Sequence, residues 1–158
     1  MTDTELPQHS NDANPFRLPG PVRPVRYDLT LEPDLEAATF AGEVTIDLLL
    51  SAATTTISCN ALDLDIVAAE VVEGSLADDA PTIAVTQVAL DPETERVTFT
   101  LSRALSAGEA HLRIRFTGVL NDKLRGFYRS TFTDTDGIEQ VIATTQFEAT
   151  DARRAFPC

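Results

Sequence analysis

Apolar and polar residues alternate along most of this chain with the two-residue period of β-strands that bury one face. The clearest run covers residues 43–48, where valine, isoleucine and leucine alternate with glutamate, threonine and aspartate. Similar runs occur at residues 27–31, 97–101 and 112–116. The pattern predicts about eight or nine strands and almost no helix. We therefore expect an all-β, antiparallel domain, built as a two-sheet sandwich or as one strongly twisted, saddle-like sheet.

Turn and bulge signals interrupt this alternation. The apolar residues at positions 83 and 85 differ in parity from those at 88 and 90, which predicts a β-bulge or a strand break near Gln87. Asp134-Thr-Asp-Gly137 lies between two apolar-rich runs and predicts a hairpin turn with Gly137 at positive φ. The pair Pro33-Asp34 predicts an interruption of the first strand.

The alternation stops in the last fifteen residues, 144–158, where polar side chains become dense. Thr150 followed by Asp151 predicts a short helical turn, with Thr150 as its N-cap and Asp151 as an acid in its first turn. Pro157 disfavours a helical residue before it and so ends the turn. Polar segments beside the strands of a β-scaffold often carry function. The candidate site residues of this segment are Gln146, Glu148, Asp151, Arg153 and Arg154.

Composition limits the class of protein. The chain has 158 residues, of which 43% are hydrophobic, and its formal net charge is −13. This length and this hydrophobic content fit one globular domain. The negative charge argues against nucleic acid as a partner, because binding to phosphates needs clustered Lys and Arg side chains.

The N-terminal residues differ from the rest. Residues 1–17 are polar and contain two prolines, so we expect a flexible leader before a domain that spans residues 18–158. The leader lacks the basic region and the apolar run of a signal peptide. No stretch of the chain approaches the roughly 20 apolar residues of a membrane span. We therefore expect a cytoplasmic protein with no membrane partner.

Candidate residues for metal and disulfide chemistry are few. A zinc peptidase of the HExxH type holds its metal with two histidines one helical turn apart. This chain has only His9 and His111 and no HExxH motif, so we expect it to bind no metal by itself. A disulfide between Cys59 and Cys158 is geometrically conceivable, but the sequence does not decide whether it forms.

Five stretches of the chain resemble the N-terminal domain of the aminopeptidase N family, the gluzincin zinc aminopeptidases. The closing stretch, Thr145-Gln-Phe-Glu-Ala-Thr-Asp-Ala-Arg-Arg-Ala-Phe-Pro-Cys158, carries the resemblance most strongly. The others follow the same order as in that domain. They are LPGPVRPVRYDLTL at 18–31, TFAGEVTI at 39–46, NALDL at 60–64 and LNDKLRGFYRS at 120–130.

This resemblance implies a function for the closing stretch. In the family, the acidic residue that matches Glu148 reaches from the β-domain into the catalytic cleft and binds the free α-amino group of a peptide. Gln146 matches a position near the first side chain of the substrate, although its amide could equally bond a neighbouring backbone group. Asp151, Arg153 and Arg154 would pair among themselves and hold Glu148 in place. The complete enzyme would contain zinc and would act on peptides with a free N-terminus.

The chain departs from the family pattern at its end. The pattern continues beyond Phe-Pro-Cys158 into Phe-Asp-Glu-Pro and then into a catalytic zinc domain. We therefore expect either an incomplete sequence or a truncated gene product, and in both cases a polypeptide that is inactive without that domain. One alternative is a non-catalytic β-sandwich binding module, or a truncated paralogue that docks onto a full-length relative. Epoxide hydrolysis, as in the leukotriene A hydrolase branch of the family, is a third and weaker alternative.

Overall fold

The computed structural model describes residues 17–76 and 80–158. These residues form nine β-strands and one short 3-10 turn. The strands are β1 (Val22–Asp34), β2 (Thr39–Leu50), β3 (Thr54–Asn60), β4 (Leu64–Glu73), β5 (Thr82–Asp91), β6 (Arg96–Leu105), β7 (Gly108–Val119), β8 (Gly126–Thr133) and β9 (Glu139–Gln146). The 3-10 turn spans Asp151–Arg154. Among the described residues, no helix has the length and apolar character needed to cross a membrane.

Seven strands form one sheet in the order β1-β2-β7-β4-β5-β6-β3, and β8 pairs with β9 in a separate hairpin. Every pair of neighbouring strands runs antiparallel. The predicted all-β, antiparallel fold is therefore confirmed. It takes the strongly curled form of that prediction, a half-barrel with a small second sheet.

Strand β5 is the corner at which the large sheet folds over. Its first residues pair with β4, with Ile83 opposite Val71, whereas its later residues pair with β6, with Leu90 opposite Val97. The register shifts between Val85 and Gln87, where the change in parity predicts a bulge. A bulge bends and twists its strand, which lets one strand serve both halves of a curled sheet.

A single hydrophobic core fills the inside of the curl. On β2 and β7 the inward residues are fully buried, whereas Glu43, Arg113 and Arg115 between them are exposed. The predicted alternation of buried and wet positions is thus confirmed on these strands. The largest fully buried side chains are Phe99, Phe116, Ile46, Ile57, Ile83, Leu105, Leu112 and Ile114.

The β8–β9 hairpin attaches to this core at its base. Phe127 is 7% exposed, and its ring centroid lies 5.1 Å from that of Phe40. The hairpin turn forms where the sequence predicts it, because the Gly137 N–H donates to the Asp134 carbonyl at 3.1 Å and Gly137 has φ +80°. The polar closing stretch of the chain begins where β9 ends, at the base of this hairpin opposite Gly126.

The predicted interruption at Pro33-Asp34 is confirmed, because β1 ends at this pair and a turn separates it from β2. Strand β1 continues through Pro33, which pairs with Phe40, and ends at Asp34. Because β1 is an edge strand, a proline there costs no ladder hydrogen bond when its nitrogen faces outward. The expected flexible leader, residues 1–17, lies outside the described residues except for Arg17.

Candidate functional site

The candidate site is the segment that leaves β9 at Gln146 and turns back toward the body of the domain. The backbone N–H of Asp151 donates to the carbonyl of Phe147 at 2.9 Å, which closes a loop over residues 147–151. Asp151–Arg154 then form the 3-10 turn, where the sequence predicts a helical turn. The loop therefore presents Glu148 between two fixed ends.

Thr150 occupies the N-cap position of this turn, as predicted, but it lacks the side-chain cap that such a residue usually provides. Its side chain makes no capping hydrogen bond. The nearest backbone donor, the Asp151 N–H, is already satisfied by Phe147, and the backbone carbonyl of Thr150 instead accepts a hydrogen bond from Arg153 Nε at 3.0 Å. A four-residue 3-10 turn leaves few free N–H groups for a side chain to cap.

Glu148 lies on this loop and Gln146 is the last residue of β9 before it, and both are exposed. The Oε1 atom of Gln146 accepts a hydrogen bond from the backbone N–H of Glu148 at 3.0 Å. Within residues 17–76 and 80–158 the carboxylate of Glu148 has no hydrogen-bond or ion-pair partner. The peptide bond between Glu148 and Ala149 is cis. The arrangement thus offers an unengaged carboxylate whose backbone is held by the neighbouring amide.

Two arginines fix the turn behind Glu148. Arg154 Nε donates to Asp151 Oδ1 at 2.8 Å, and its Nη1 pairs with the carboxylate of Asp63. Arg153 Nη1 donates to Glu95 Oε2 at 2.8 Å. The side chain of Arg154 is 13% exposed and that of Arg153 is 18% exposed, so both pairs are shielded from water on the arginine side. The predicted pairing within the segment holds for Asp151 with Arg154.

The partners Asp63 and Glu95 are the residues that sequence reasoning missed. Both lie in turns with positive φ, +57° for Asp63 and +55° for Glu95. They are separated from their arginines by 91 and 58 residues. Each is a charged residue in a turn, and this local feature does not predict the residue with which it pairs.

The chain after the turn is attached to strand β3. Asn60 and Cys158 exchange both backbone hydrogen bonds, at 2.6 and 3.0 Å, and the Leu62 N–H donates to the Arg153 carbonyl at 2.9 Å. Phe156 packs edge-on against Phe147 and Tyr27, with ring centroids 6.1 Å apart in each case. The loop that carries Glu148 is therefore tied to β3 by backbone hydrogen bonds and to β1 by aromatic contacts.

Tyr27, Cys59 and Cys158 lie together beside these contacts, with Cys59 buried, Cys158 partly buried and Tyr27 37% exposed. Both cysteines are free thiols. Burial, followed by the charge of Cys158, raises the pKa of Cys59 to about 12. Burial and the two thiols likewise raise the pKa of Tyr27 to about 12. These groups remain protonated at neutral pH, and because the thiolate is the nucleophile, we assign them packing and no reactivity.

The described residues do not fit a zinc site. In residues 17–76 and 80–158, no group of three or more His, Cys, Asp and Glu side chains could hold a metal ion. His111 lies on β7, and its Nδ1 is 2.7 Å from Asp47 Oδ1 on β2. This pair stands on the outward face of the large sheet, on strands that do not carry Glu148. His9 lies outside the described residues.

Comparison with known proteins identifies the family. The family model for the peptidase M1 N-terminal domain matches residues 23–158. This chain is a peptidase M1 N-terminal domain. Aminopeptidase 2 of Candida albicans is 43% identical to it over 141 residues, and Aminopeptidase M1 of Arabidopsis thaliana is 44% identical over 142 residues. The mitochondrial Aminopeptidase 2 of Saccharomyces cerevisiae is 38% identical over 146 residues.

The M1 N-terminal domain is a small part of these relatives. The match covers 89% of this chain but 14% of the Candida protein, and 90% of this chain but 16% of the Arabidopsis protein. The match extends across the whole segment that carries Gln146 and Glu148. The resemblance seen in the sequence is thus confirmed at the level of the family.

Proposed function

We propose that this M1 N-terminal domain supplies the amine-binding carboxylate, Glu148, of an aminopeptidase that removes N-terminal residues from peptides. The observation that carries the proposal is an exposed carboxylate that has no partner among the described residues, held on a loop that ion pairs and aromatic contacts fix on both sides. A fixed carboxylate without a partner is the group that a peptide ammonium needs when it leaves water.

In this proposal each side chain of the segment has a separate task. Glu148 accepts hydrogen bonds from the α-ammonium of the substrate, which restricts cleavage to the first residue. Gln146 holds the backbone of Glu148 through its Oε1 and lies beside the first side chain of the peptide. Arg154 and Arg153 are positioning residues, because they act only through the turn. Zinc chemistry and proton transfer belong to the part of the enzyme outside these residues, so this chain alone is inactive.

The test is a hybrid enzyme in which residues 23–158 of this chain replace the matched region of Arabidopsis Aminopeptidase M1. We expect Glu148→Gln to lower kcat/KM for aminoacyl anilides about 10- to 150-fold, since a hydrogen bond to a charged group is worth about 1.5–3 kcal/mol. The control is Glu139→Gln, an exposed glutamate at the start of β9, the strand that precedes the Glu148 loop, and it should leave kcat/KM unchanged. Equal kinetics for both variants would refute the anchor role.

A further inference from the structure

Strand β1 is the outermost strand at one end of the large sheet. It pairs with β2 on one side, and no other strand of the described chain pairs with its opposite side. It spans 13 residues, Val22–Asp34, and nearly all of them are exposed. An edge of this kind presents a row of backbone N–H and C=O groups to which another chain can add a strand.

The pairing with β2 decides which backbone groups point toward the free edge. The Ser51 N–H donates to the Pro21 carbonyl at 3.0 Å, so odd-numbered positions of β2 form the hydrogen-bonded pairs of this ladder. Tyr27, Leu29 and Leu31 lie opposite even-numbered residues of β2. Their own N–H and C=O groups therefore point away from β2, toward the free edge.

The two prolines of β1 agree with this assignment and limit the free edge. Pro24 lies opposite Leu48 and Pro33 lies opposite Phe40, and at both positions β1 needs no N–H directed toward β2. Each proline instead removes a donor from the free edge, because proline has no N–H. Addition of a further strand is thus confined to the stretch between the prolines.

Within this stretch the two sides of β1 carry different side chains. Tyr27 and Leu29 lie on the core side, opposite the buried Ile46 and Val44, yet they are 37% and 38% exposed. The other side is polar and carries Arg26, Asp28, Thr30 and Glu32. A strand added at this edge would cover the apolar side chains and place partners opposite the charged ones.

An antiparallel second copy of β1, centred on Leu29, complements both sides at once. In this register Leu29 faces Leu29 of the second copy, Tyr27 faces Leu31, and Arg26 faces Glu32. The twofold axis repeats each contact, so two arginine–glutamate pairs flank a ladder of tyrosine and leucine side chains. Pairs of opposite charge and pairs of apolar groups directly across antiparallel strands stabilise the pairing.

The nearest alternative registers are less favourable. Centring the pair on Asp28 places the two Asp28 carboxylates opposite each other, and centring it on Thr30 places Asp28 opposite Glu32 twice. Like charges directly opposite each other destabilise a strand pair. Centring it on Tyr27 includes the irregular step that precedes Arg26 in β1. The register centred on Leu29 is therefore the one that the side chains favour.

We propose that the free edge of β1 is a self-association site, at which a second copy of the chain adds its own β1 in the antiparallel register centred on Leu29. The product is a twofold dimer with one sheet continuous across both copies. The net charge of −13 on each copy opposes association, but β1 itself carries two arginines against three acidic residues. At physiological ionic strength, exposed charges more than about 8 Å apart are largely screened, so the charges on β1 dominate.

Charge reversal tests the proposal, with sedimentation velocity of the 158-residue chain over a range of concentrations. We expect a monomer–dimer equilibrium that Glu32→Arg weakens about tenfold or more, because the twofold axis converts two attractive pairs into two repulsive ones. Arg26→Glu should weaken it in the same way. The double variant Arg26→Glu/Glu32→Arg restores both pairs in reversed order and should associate as the unmodified chain does.

The matched control is Glu139→Arg, at an exposed glutamate on β9. It changes the net charge by the same amount as Glu32→Arg but lies on a different sheet, so it should leave the equilibrium unchanged. A comparable loss of association in this control would show that overall charge, and not the edge of β1, governs the equilibrium, and would overturn the proposal.

Cysteine cross-linking tests the register. Leu29→Cys would meet its own copy at a Cα separation of about 5.5 Å, which a disulfide can span. Thr30→Cys would lie opposite Asp28 of the second copy and out of reach of its own. Oxidation with diamide should therefore link dimers of Leu29→Cys and few of Thr30→Cys, with the unmodified chain as the baseline for Cys59 and Cys158.

Three results would contradict this interface. A chain that stays monomeric at every concentration would show that the edge does not bind a second copy and is open to a different occupant. Single charge reversals that have no effect, or that the double variant does not rescue, would show that Arg26 and Glu32 do not meet. Equal cross-linking of Leu29→Cys and Thr30→Cys would exclude the register centred on Leu29.

Discussion

Among the described residues, the outward face of the large sheet and one face of the β8–β9 hairpin differ in chemistry. The hairpin face, here called the outer face, consists of eight alternate positions: Gly126, Tyr128, Ser130, Phe132, Gln140, Ile142, Thr144 and Gln146. On the large sheet, charged residues follow one another across the strands: Arg113 Nη1 lies 3.2 Å from Glu70 Oε1, and His111 contacts Asp47. A shallow groove of about 410 Å³ on this face is lined in part by Glu43 and Arg115. On the hairpin, no charged side chain occurs among the eight outer positions.

The difference lies in how much charge each face presents to water. Exposed ion pairs such as Arg113 with Glu70 contribute little to stability, about 0–1 kcal/mol, but they keep a sheet face soluble. The outer face of the hairpin carries no charge, and its exposed Phe132 and Ile142 lie among hydroxyl and amide side chains that water can solvate.

The largest expected effect contrasts a covered phenylalanine with an uncovered one. Phe116 is 1% exposed and packs edge-on against Phe40, with ring centroids 6.4 Å apart. Phe116→Ala should lower the free energy of unfolding of the isolated chain by about 3–5 kcal/mol, measured by urea denaturation. Phe132→Ala should cost about 1 kcal/mol or less, the range of strand propensities at exposed sites. Similar losses for both variants would mean that the outer face is already covered in the isolated chain.

The sequence predicts the strands and turns well because each is determined by residues close together in the sequence. Alternation alone marks the strands, and the change of parity near Gln87 marks the corner in β5, since a two-residue period shows an inserted residue directly. The hairpin follows from Asp134 and Gly137 for the same reason, because a turn type is set by the residues within it. Pro33 and Asp34 likewise mark the end of β1, and Asp34 Oδ1 accepts hydrogen bonds from the backbone N–H groups of the turn that follows.

The candidate site is predictable only in part. The position of Glu148 after the last strand follows from the pattern, but what holds it there does not. Arg153 pairs with Glu95 and Arg154 with Asp63, and neither partner lies within reach along the chain. Glu95 and Asp63 lie 58 and 91 residues before their arginines. A local pattern of apolar residues does not predict which distant loops come together.

A smaller effect is expected where the hairpin joins the body. Gly126 has φ +70°, and a Cβ there would lie 2.6 Å from Arg154 Cβ. Gly126→Ala should cost about 1–2 kcal/mol for the left-handed backbone and about 1–3 kcal/mol more for the displaced Arg154. Gly137 lies at the hairpin tip with φ +80° and open space around it. Gly137→Ala should therefore cost only the contribution of the left-handed backbone. Urea denaturation compares them, and equal costs would show that Arg154 yields freely.

The smallest expected effect concerns the pKa values of two aspartates in turns, Asp134 in the hairpin and Asp91 in the large sheet. The Gln140 amide, followed by the backbone N–H groups of Ile138 and Asp136, holds the pKa of Asp134 below its ordinary value. The Thr94 hydroxyl and nearby backbone N–H groups do the same for the pKa of Asp91 in the large sheet. Because both folded pKa values are lowered, their contribution to stability is complete above the unfolded pKa, about 3.9, and is lost as pH falls through the folded values.

Carboxyl-resolved NMR titration of the isolated chain measures both pKa values at once. Gln140→Ala should raise the pKa of Asp134 toward the ordinary value, because it removes the largest of the three hydrogen bonds, and should leave the pKa of Asp91 unchanged. Thr94→Ala should do the reverse. A shift of both pKa values in either variant would mean that the turns of the hairpin and of the large sheet do not titrate independently. The comparison of the two regions as separate units would then be wrong.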